Sequence, residues 1–318
     1  MASIPKLVIL LLCTCLHTLL AHGGDDLRTY KVLHAGALKS ATVNCSQPQV
    51  TPSYGGVTVP LHHRHGPCSP SPVPSTKAPT LQEMLRRDQL RAAYITRNQS
   101  ESGNLLEDQT DGLMGLGGGA ESLATQTAGT FGKAFSYCLP PTPDSSGFLT
   151  LGAATLGFVV KTPMLRSSEV PSYYGVRLQA IRVGGRQLSI PASVFSAGSI
   201  MDSGTIITRL PATAYSALSS AFKAGMKQYP PAQPMGIFDT CFDFSGQSSV
   251  SIPSVALVFS GGVVIDLATD GIILDSCLAF AANTDDSSLG IIGNVQQRTI
   301  EVLYDVGGGA VGFKAGAC

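Results

Sequence analysis

The chain has 318 residues, 44% of them hydrophobic, which is enough apolar material for one large domain or two smaller ones. Lysine plus arginine equals aspartate plus glutamate at 21 each, so the formal net charge is zero. This balance argues against a nucleic-acid-binding protein and against binding to anionic membrane surfaces, because both depend on clustered positive charge.

The N-terminal residues predict entry into the secretory pathway. One lysine precedes an apolar run at residues 7–20, and small residues lead to the first acidic side chain, Asp25. We interpret residues 1–22 as a signal peptide. A membrane anchor is the alternative, but the run is short for a bilayer crossing and no second apolar span follows. The predicted location is extracellular or vacuolar.

Residues 25–79 are predicted to be irregular, since prolines crowd their C-terminal part, "GPCSPSPVPSTKAPT". The next stretch, "TLQEMLRRDQLRAAYITRN", places Thr80 as a helix cap with Glu83 three residues later, followed by leucines and alanines at helical spacing. This pattern predicts a basic amphipathic helix at residues 81–98. We expect it to be an ordinary surface helix.

From Asp111 onward, short runs rich in valine, isoleucine and phenylalanine alternate with glycine and proline, which predicts a mostly β domain. One helix is predicted in "PATAYSALSSAFKAGMKQY", with Pro211 in its first turn. Two short segments, "DGLMGLG" at residues 111–117 and "LGIIGNV" at residues 289–295, share a pattern of two bulky apolar residues before a glycine.

Removal of the signal peptide would leave six of the eight cysteines. An even number in an oxidising compartment favours disulfides. No metal site or cofactor is predicted, because the histidine cluster "LHHRHGPC" has no second cysteine nearby. Asn44 and Asn98 lie in sequons for N-glycosylation.

The candidate catalytic residue is Asp202, in "IMDSGTII". Gly204 lets another chain segment approach the turn closely, and Ser203 and Thr205 can hydrogen-bond the carboxylate or the backbone. Taken alone, such a turn is more often structural than catalytic.

The surrounding motifs resemble one family. Residues 198–218, with "FSYCLP", "FDTCFDFSG", "CLAFA" and the C-terminal "IIGNVQQRTIEVLYDVGGGAVGFKAGAC", resemble the plant pepsin-like aspartic proteases of the nepenthesin type. Upstream, "LHHRHGPCSP" and "LQEMLRRDQLRAAYI" resemble that group's propeptide. The similarity is collinear over nearly the whole chain. It implies a mostly β, pepsin-like bilobal acid-protease fold with an incomplete N-terminal lobe.

The resemblance also implies a domain order. Residues 23–100 correspond to the propeptide, residues 101–165 to a remnant of the N-terminal lobe with the inter-lobe region, and residues 166–318 to the C-terminal lobe. Cys241 is expected to pair with Cys277, and Cys138 with Cys318, whereas Cys45 and Cys68 stay unassigned.

In this family each lobe supplies one aspartate, and the pair activates a water molecule for attack on a peptide bond. The resemblance makes Asp202 the aspartate of the C-terminal lobe. Thr205 would hydrogen-bond its outer oxygen, and Ser203 would belong to the hydrogen-bonded grip between lobes. The strand segment behind the turn would be Ile291, Ile292 and Gly293, with Leu113, Met114 and Gly115 as its N-terminal counterpart.

The first aspartate of the pair is missing from its expected place. Only "QSESGNLLEDQT" connects the predicted helix to residue 111, and no Asp-Thr-Gly-Ser turn occurs there. Glu107, Asp108 and Asp111 lack the flanking apolar run and the following Gly-Ser turn, so none is a credible replacement. The remnant at residues 111–140 is expected to be loosely held and to expose apolar surface, which favours self-association.

Three interpretations follow. The chain is an aspartic endopeptidase family member that acts on polypeptides in principle but is inactive alone. Alternatively, it is a non-catalytic pepsin-like protein that binds or inhibits a protein ligand. The third alternative is a truncated gene model or splice form of an active protease.

Overall fold

The computed structural model describes residues 29–34, 56–63, 66–68, 79–96, 113–154, 160–166 and 171–318. Within these residues the chain is mostly β, as predicted. The predicted signal peptide, both sequons and the acidic residues Glu107, Asp108 and Asp111 lie outside the described residues.

The strands, in chain order, are β1 (Tyr30–His34), β2 (Val57–His62), β3 (Ala134–Cys138), β4 (Ser146–Leu151), β5 (Val160–Pro163), β6 (Gly175–Val176), β7 (Leu178–Val183), β8 (Arg186–Gln187), β9 (Ser199–Met201), β10 (Thr208–Leu210), β11 (Ser249–Pro253), β12 (Val255–Phe259), β13 (Val263–Asp266), β14 (Ile273–Leu274), β15 (Cys277–Leu278), β16 (Phe280–Ala282), β17 (Gly290–Ile292), β18 (Ile300–Asp305) and β19 (Ala310–Ala315). The α-helices are α1 (Leu81–Thr96), α2 (Leu123–Gln126), α3 (Ala128–Phe131), α4 (Ala212–Gly225) and α5 (Asn294–Gln297). Short 3-10 helices span Ala192–Phe195 and Thr269–Gly271.

The largest sheet of the described residues has six antiparallel strands in the order β2-β4-β3-β18-β19-β5. It combines strands from residues before 165 with the last two strands of the chain. Phe135 and Tyr137 of β3 are buried in the main core. The expectation that residues 111–140 are loosely held is therefore wrong for β3, because β4 and β18 hydrogen-bond both of its edges.

The start of the predicted remnant does expose apolar surface. Leu113 and Met114 are 66% and 62% exposed, and residues 113–116 form no regular secondary structure. Both observations agree with the expectation for this segment.

A five-stranded sheet, β16-β10-β17-β9-β6, carries the candidate site. β17 lies between β9, to which it is parallel, and β10, to which it is antiparallel. Helix α4 is the helix predicted in this region. It begins at Ala212, so Pro211 immediately precedes it and does not lie in its first turn. The buried face of α4 contains Tyr215, Leu218 and Phe222.

The upstream region is less irregular than predicted. β1 pairs antiparallel with β11, and β2 forms the edge of the six-stranded sheet beside β4. The sequence of β2, "VTVPLH", alternates polar and apolar residues, and Pro60 is tolerated because an edge strand has one unpaired side. The prediction of an irregular region was wrong for these two strands, because it rested on the prolines that follow them.

Helix α1 has the predicted capping box. The backbone N–H and hydroxyl of Thr80 both donate to Glu83 Oε2, at 2.7 and 2.9 Å. The backbone N–H of Glu83 donates in return to the Thr80 hydroxyl at 3.3 Å. The helix ends at Thr96, and residues 97–98 of the predicted range lie outside the described residues.

Both predicted disulfides are present. Cys138 at the end of β3 is bonded to Cys318, and Cys241 is bonded to Cys277 at the start of β15. Cys68 is also disulfide-bonded, whereas Cys45 lies outside the described residues.

Candidate active site

Asp202 lies at the end of β9, where the chain turns through Ser203 and Gly204. The hydroxyl of Thr205 donates to Oδ2 at 2.6 Å, and the backbone N–H of Gly204 donates to Oδ1 at 3.1 Å. The Asp202 N–H donates to the carbonyl of Ile292, on β17. The turn therefore holds the carboxylate in one orientation, and the role of Thr205 at the outer oxygen of a catalytic aspartate stays a prediction.

Strand β17 supports this turn from behind. Ile291 is opposite Ile200 of β9, and Ile292 is opposite Met201. The next residue, Gly293, donates its N–H to the Thr208 hydroxyl at 3.0 Å. A Cβ at Gly293 would lie 2.7 Å from the Ile206 carbonyl oxygen, so only glycine fits there. The three predicted supporting residues of this segment thus lie directly beside the Asp202 turn.

Ser203 is held through its backbone. Its carbonyl accepts a hydrogen bond from the side-chain amide of Asn294 at 3.1 Å, and the Asn294 N–H donates to the Thr205 carbonyl at 2.7 Å. These bonds fasten the turn to the start of α5. A role of Ser203 in a grip between two lobes stays a prediction.

The partner of Asp202 is Arg91, in the middle of α1. Its Nε donates to Asp202 Oδ2 at 3.0 Å, and its Nη2 donates to Oδ1 at 2.9 Å. Such two-point pairing matches the planar guanidinium to both carboxylate oxygens. The side chains are 26% and 10% exposed. A Cβ at Gly204 would lie 2.6 Å from Nη2, so the absence of a side chain there leaves room for the guanidinium.

Electrostatic effects agree with this geometry. Burial lowers the pKa of Arg91, but its hydrogen bond to Asp202 and the opposite charge outweigh burial and raise the pKa above the usual value. The nearby Tyr173 has a raised pKa, because burial and the negative charge of Asp202 both disfavour phenolate. The permanent positive charge of Arg91 therefore lies directly against the Asp202 carboxylate.

A second ion pair fixes α1 one turn earlier. Asp88 accepts hydrogen bonds from the Ile206 N–H and from Arg209 Nη2, the latter at 3.0 Å. The side chain of Asp88 is fully buried, and that of Arg209 is 8% exposed. Burial raises the pKa of Asp88, against the hydrogen bonds from Ile206 and the charge of Arg209, which lower it.

Apolar contacts flank the two ion pairs. Leu85, which is 1% exposed, packs in a cluster with Ile207, Phe238 and Val295. About two and three turns further along the helix, Ala92 and Ile95 pack on Ile200 of β9 and Ile291 of β17. Helix α1 is therefore no ordinary surface helix: one complete face lies against the Asp202 region, which corrects that expectation.

A buried chain of hydroxyls and amides underlies the site. Tyr137 of β3 donates to Gln297 Oε1 and lies 2.9 Å from the Tyr304 hydroxyl. Gln297 Nε2 donates to the Ile292 carbonyl at 2.8 Å. Burial raises the pKa of both tyrosines, and the charge of Asp202 adds to the shift. Both hydroxyls stay protonated and link the six-stranded sheet to the strand behind the turn.

Sequence reasoning found the Asp202 turn and β17 but missed Arg91, Asp88, Arg209 and the tyrosine pair. One usable signal was present: Asp88 and Arg91 lie between Leu85 and Ile95, on the apolar face of the predicted helix, where charged side chains need partners. Nothing in the sequence identified those partners. No group of three or more histidine, cysteine, aspartate or glutamate side chains suited to a metal occurs among the described residues.

Two family models match the chain. One, described as xylanase inhibitor N-terminal, covers residues 73–153, and the other, described as xylanase inhibitor C-terminal, covers residues 173–315. An aspartyl protease family protein of Arabidopsis thaliana is 50% identical over 65% of this chain and 45% of its own length. Aspartic proteinase nepenthesin-2 of Nepenthes gracilis is 36% identical over 65% of this chain and 50% of its own length.

The chain belongs to the plant pepsin-like aspartic proteases. Solved structures agree with the fold of this family. Basic 7S globulin from soybean superposes with a TM-score of 0.54 at 24% identity, over 66% of this chain and 58% of that one. Conglutin gamma from lupine seeds superposes with a TM-score of 0.56 at 22% identity, over 66% and 58%.

This aspartic protease family chain spans about half the length of the curated relatives that it matches, 45% of the first and 51% of aspartyl protease AED1 of Arabidopsis thaliana. In the part of the chain that the structure describes, no helix is long and apolar enough to cross a membrane.

Proposed function

We propose that this chain is an aspartic protease family member that has no proteolytic activity by itself, and that helix α1 covers its Asp202 through Arg91. The observation that supports this proposal is the two-point ion pair between Arg91 and Asp202. The family resemblance assigns Asp202 to acid proteolysis of polypeptides, and the ion pair occupies both of its oxygens.

The chemical reason is the sharing of a proton. Two neighbouring carboxylates cannot both ionise, so one holds a proton while the other accepts one from the attacking water. In the described part of the chain, the partner of Asp202 is a guanidinium, which is always protonated and has no acceptor. Arg91 therefore cannot take the second carboxylate's role.

The test compares four full-length proteins on unfolded globin at acid pH: the unaltered chain, Arg91→Ala, Asp202→Asn and the double variant. Arg91→Ala removes the ion pair with Asp202 and leaves the carboxylate itself in place. We expect all four to cleave at the same background rate, because removing Arg91 supplies no second carboxylate.

Pepstatin-sensitive cleavage by the unaltered chain that is absent from Asp202→Asn would overturn this proposal, and the same cleavage by Arg91→Ala alone would overturn its claim that Asp202 has no second carboxylate. Either result would show that a second carboxylate reaches Asp202, for example from another copy of the chain. The thermal unfolding of Arg91→Ala is measured in parallel. This control shows whether a background rate of cleavage comes from a folded variant or from one that has failed to fold.

A protein-binding role is the second candidate, and the description of both family models as xylanase inhibitor supports it. The test measures the activity of a plant-cell-wall xylanase with and without the full-length chain. Dose-dependent inhibition supports this role, and unchanged activity at a large excess of the chain counts against it.

Two further features of the proposal concern location and association. Residues 1–22 support secretion, to be tested by following a tagged chain with and without them in plant cells. The exposed Leu113 and Met114 support self-association, to be tested by sedimentation of the unaltered chain against a Leu113→Ser/Met114→Ser variant.

A further inference from the structure

A second site lies away from Asp202. An open cavity of about 220 Å³ lies between the short helices α2 and α3 on one side and β3 and β4 of the six-stranded sheet on the other. None of its lining residues belongs to the Asp202 turn or to α1. The site therefore requires an explanation of its own.

The walls of this cavity are mostly apolar, with Thr125 and Thr127 as uncharged polar residues among them. The other residues of the walls include Phe131, Phe135, Leu151, Tyr174 and Val306. Phe135 and Tyr174 are 3% and 5% exposed, and their ring centroids lie 5.9 Å apart. An apolar cavity of about 150 Å³ holds a benzene molecule, so this one has room for a larger, two-ring aromatic group. Aromatic walls favour such a group through offset and edge contacts.

Two cations lie at the cavity. Lys133 contributes to its lining and is exposed to solvent. The guanidinium of Arg166 lies 4.8 Å from the ring centroid of Tyr174 and against Gly118, both of which line the cavity. Arg166 donates to the Pro171 carbonyl at 2.7 Å. In the described ranges neither cation forms an ion pair with a carboxylate.

We propose that this cavity binds an aromatic monocarboxylate with a ring system of about two fused rings. The rings would fill the apolar interior, and the carboxylate would meet Lys133 and Arg166 where the cavity opens. A second charge on the ligand is disfavoured, because the interior offers no partner that would compensate for its desolvation.

The probe for this test is 2-naphthoate. The chain contains no tryptophan, so naphthoate fluorescence anisotropy is measured against a low protein background. We expect saturable binding of one naphthoate to each full-length chain. Lys133→Gln and Arg166→Gln should each weaken binding about threefold, the effect expected of a solvent-exposed ion pair. The matched control Lys314→Gln, at an exposed lysine of β19, should leave binding unchanged.

Filling the cavity provides the decisive variant. Ala128→Phe places a ring inside it from α3 and should abolish saturable binding. Ala124→Leu fills the same space from α2. It is used as the cavity-filling variant if Ala128→Phe lowers the unfolding temperature of the chain.

Four results would overturn the proposal. These are the absence of saturable binding to the unaltered chain, full binding to a folded cavity-filling variant, no loss in the two cation variants, and equal affinity for the neutral alcohol 2-naphthalenemethanol. Stoichiometric binding that is lost on filling the cavity and weakened at both cations supports it.

Discussion

At Asp202 a single carboxylate accepts hydrogen bonds from Arg91, Gly204 and Thr205. Thr205 and Gly204 are local to the turn, so their contacts follow from four consecutive residues. Arg91 is 111 residues away in sequence, and its contact depends on the docking of α1. The cation that pairs with Asp202 is thus supplied by one distant side chain.

We predict that Arg91→Ala lowers the free energy of unfolding by about 1 to 2 kcal/mol. This value lies between those for exposed pairs and for broken buried pairs, because the Arg91 and Asp202 side chains are 26% and 10% exposed. Urea unfolding provides the measurement. The control is Arg86→Ala, an exposed arginine of the same helix, which should change stability by less than about 0.5 kcal/mol. Equal effects of the two variants would contradict a special role for Arg91.

The pH dependence of stability tests Asp88. Burial raises its pKa above the ordinary 3.8, so the pKa is higher in the folded than in the unfolded chain. Such a carboxyl stabilises the fold most below pH 3.8, and the contribution is lost as the pH rises through the folded value. We therefore expect the unfolding free energy of the unaltered chain, minus that of Asp88→Asn, to fall between pH 3 and pH 7. A difference that grows over this range would mean that pairing with Arg209 outweighs burial.

At the scale of elements, α1 is held against the Asp202 region by a regular series of contacts. Leu85, Asp88, Arg91, Ala92 and Ile95 share one face of the helix, because each lies three or four residues from another member of the set. Along this face, Leu85 packs in one apolar cluster and Asp88 pairs with Arg209. Arg91 then pairs with Asp202, and Ala92 and Ile95 pack in a second apolar cluster. This order of contacts fixes the position of the helix along the Asp202 region.

We predict that Leu85→Ala destabilises the chain by about 2 to 4 kcal/mol, since it opens a cavity in a closed cluster. Leu90→Ala on the same helix removes the same atoms from a side chain that is 62% exposed, and should cost less than about 0.5 kcal/mol. Thermal or urea unfolding compares the pair. A loss of stability at Leu90 comparable to that at Leu85 would contradict the packing of the Leu85 face against the Asp202 region.

At the scale of the whole molecule, the six-stranded sheet joins the two ends of the described chain. β3 lies between β4 and β18, and the disulfide from Cys138 to Cys318 fastens β3 to the C-terminus. Residues before 165 and residues after 300 therefore share one core, in which Phe135 stacks on Tyr304 with ring centroids 4.6 Å apart.

Removing the Cys138–Cys318 bond with serine substitutions should lower the free energy of unfolding by about 5 kcal/mol on the loop-closure estimate, because the bond joins residues 180 apart. Removing Cys241–Cys277, with a separation of 36, should cost about 4 kcal/mol on the same estimate. Equilibrium unfolding without reductant measures both. A larger loss at the shorter loop would show that local packing, and not chain entropy, decides the order.

Much of this molecule was predictable because its signals are local. The Asp-Ser-Gly-Thr turn at Asp202, the capping box of α1 and the alternating strands each arise from a few adjacent residues whose chemistry dictates the backbone. The resemblance added the disulfide pairs and the strand behind the turn, which no local pattern gives. Strands β1 and β2 were not predicted, because the formation of an edge strand depends more on its pairing partner than on its own composition.

The sequence by itself determined the predominance of β-structure, helices α1 and α4, the Asp202 turn and the absence of an Asp-Thr-Gly-Ser motif ahead of residue 111. Only the tertiary structure decided what Asp202 contacts and how firmly β3 is held. A charged side chain on an apolar helix face requires a partner of opposite charge. The identity of that partner, Asp202 for Arg91, depends on how the helix docks, because the two residues lie 111 positions apart in the chain. Likewise, the stability of β3 depends on β18, which is more than 160 residues away and becomes its neighbour only in the folded sheet.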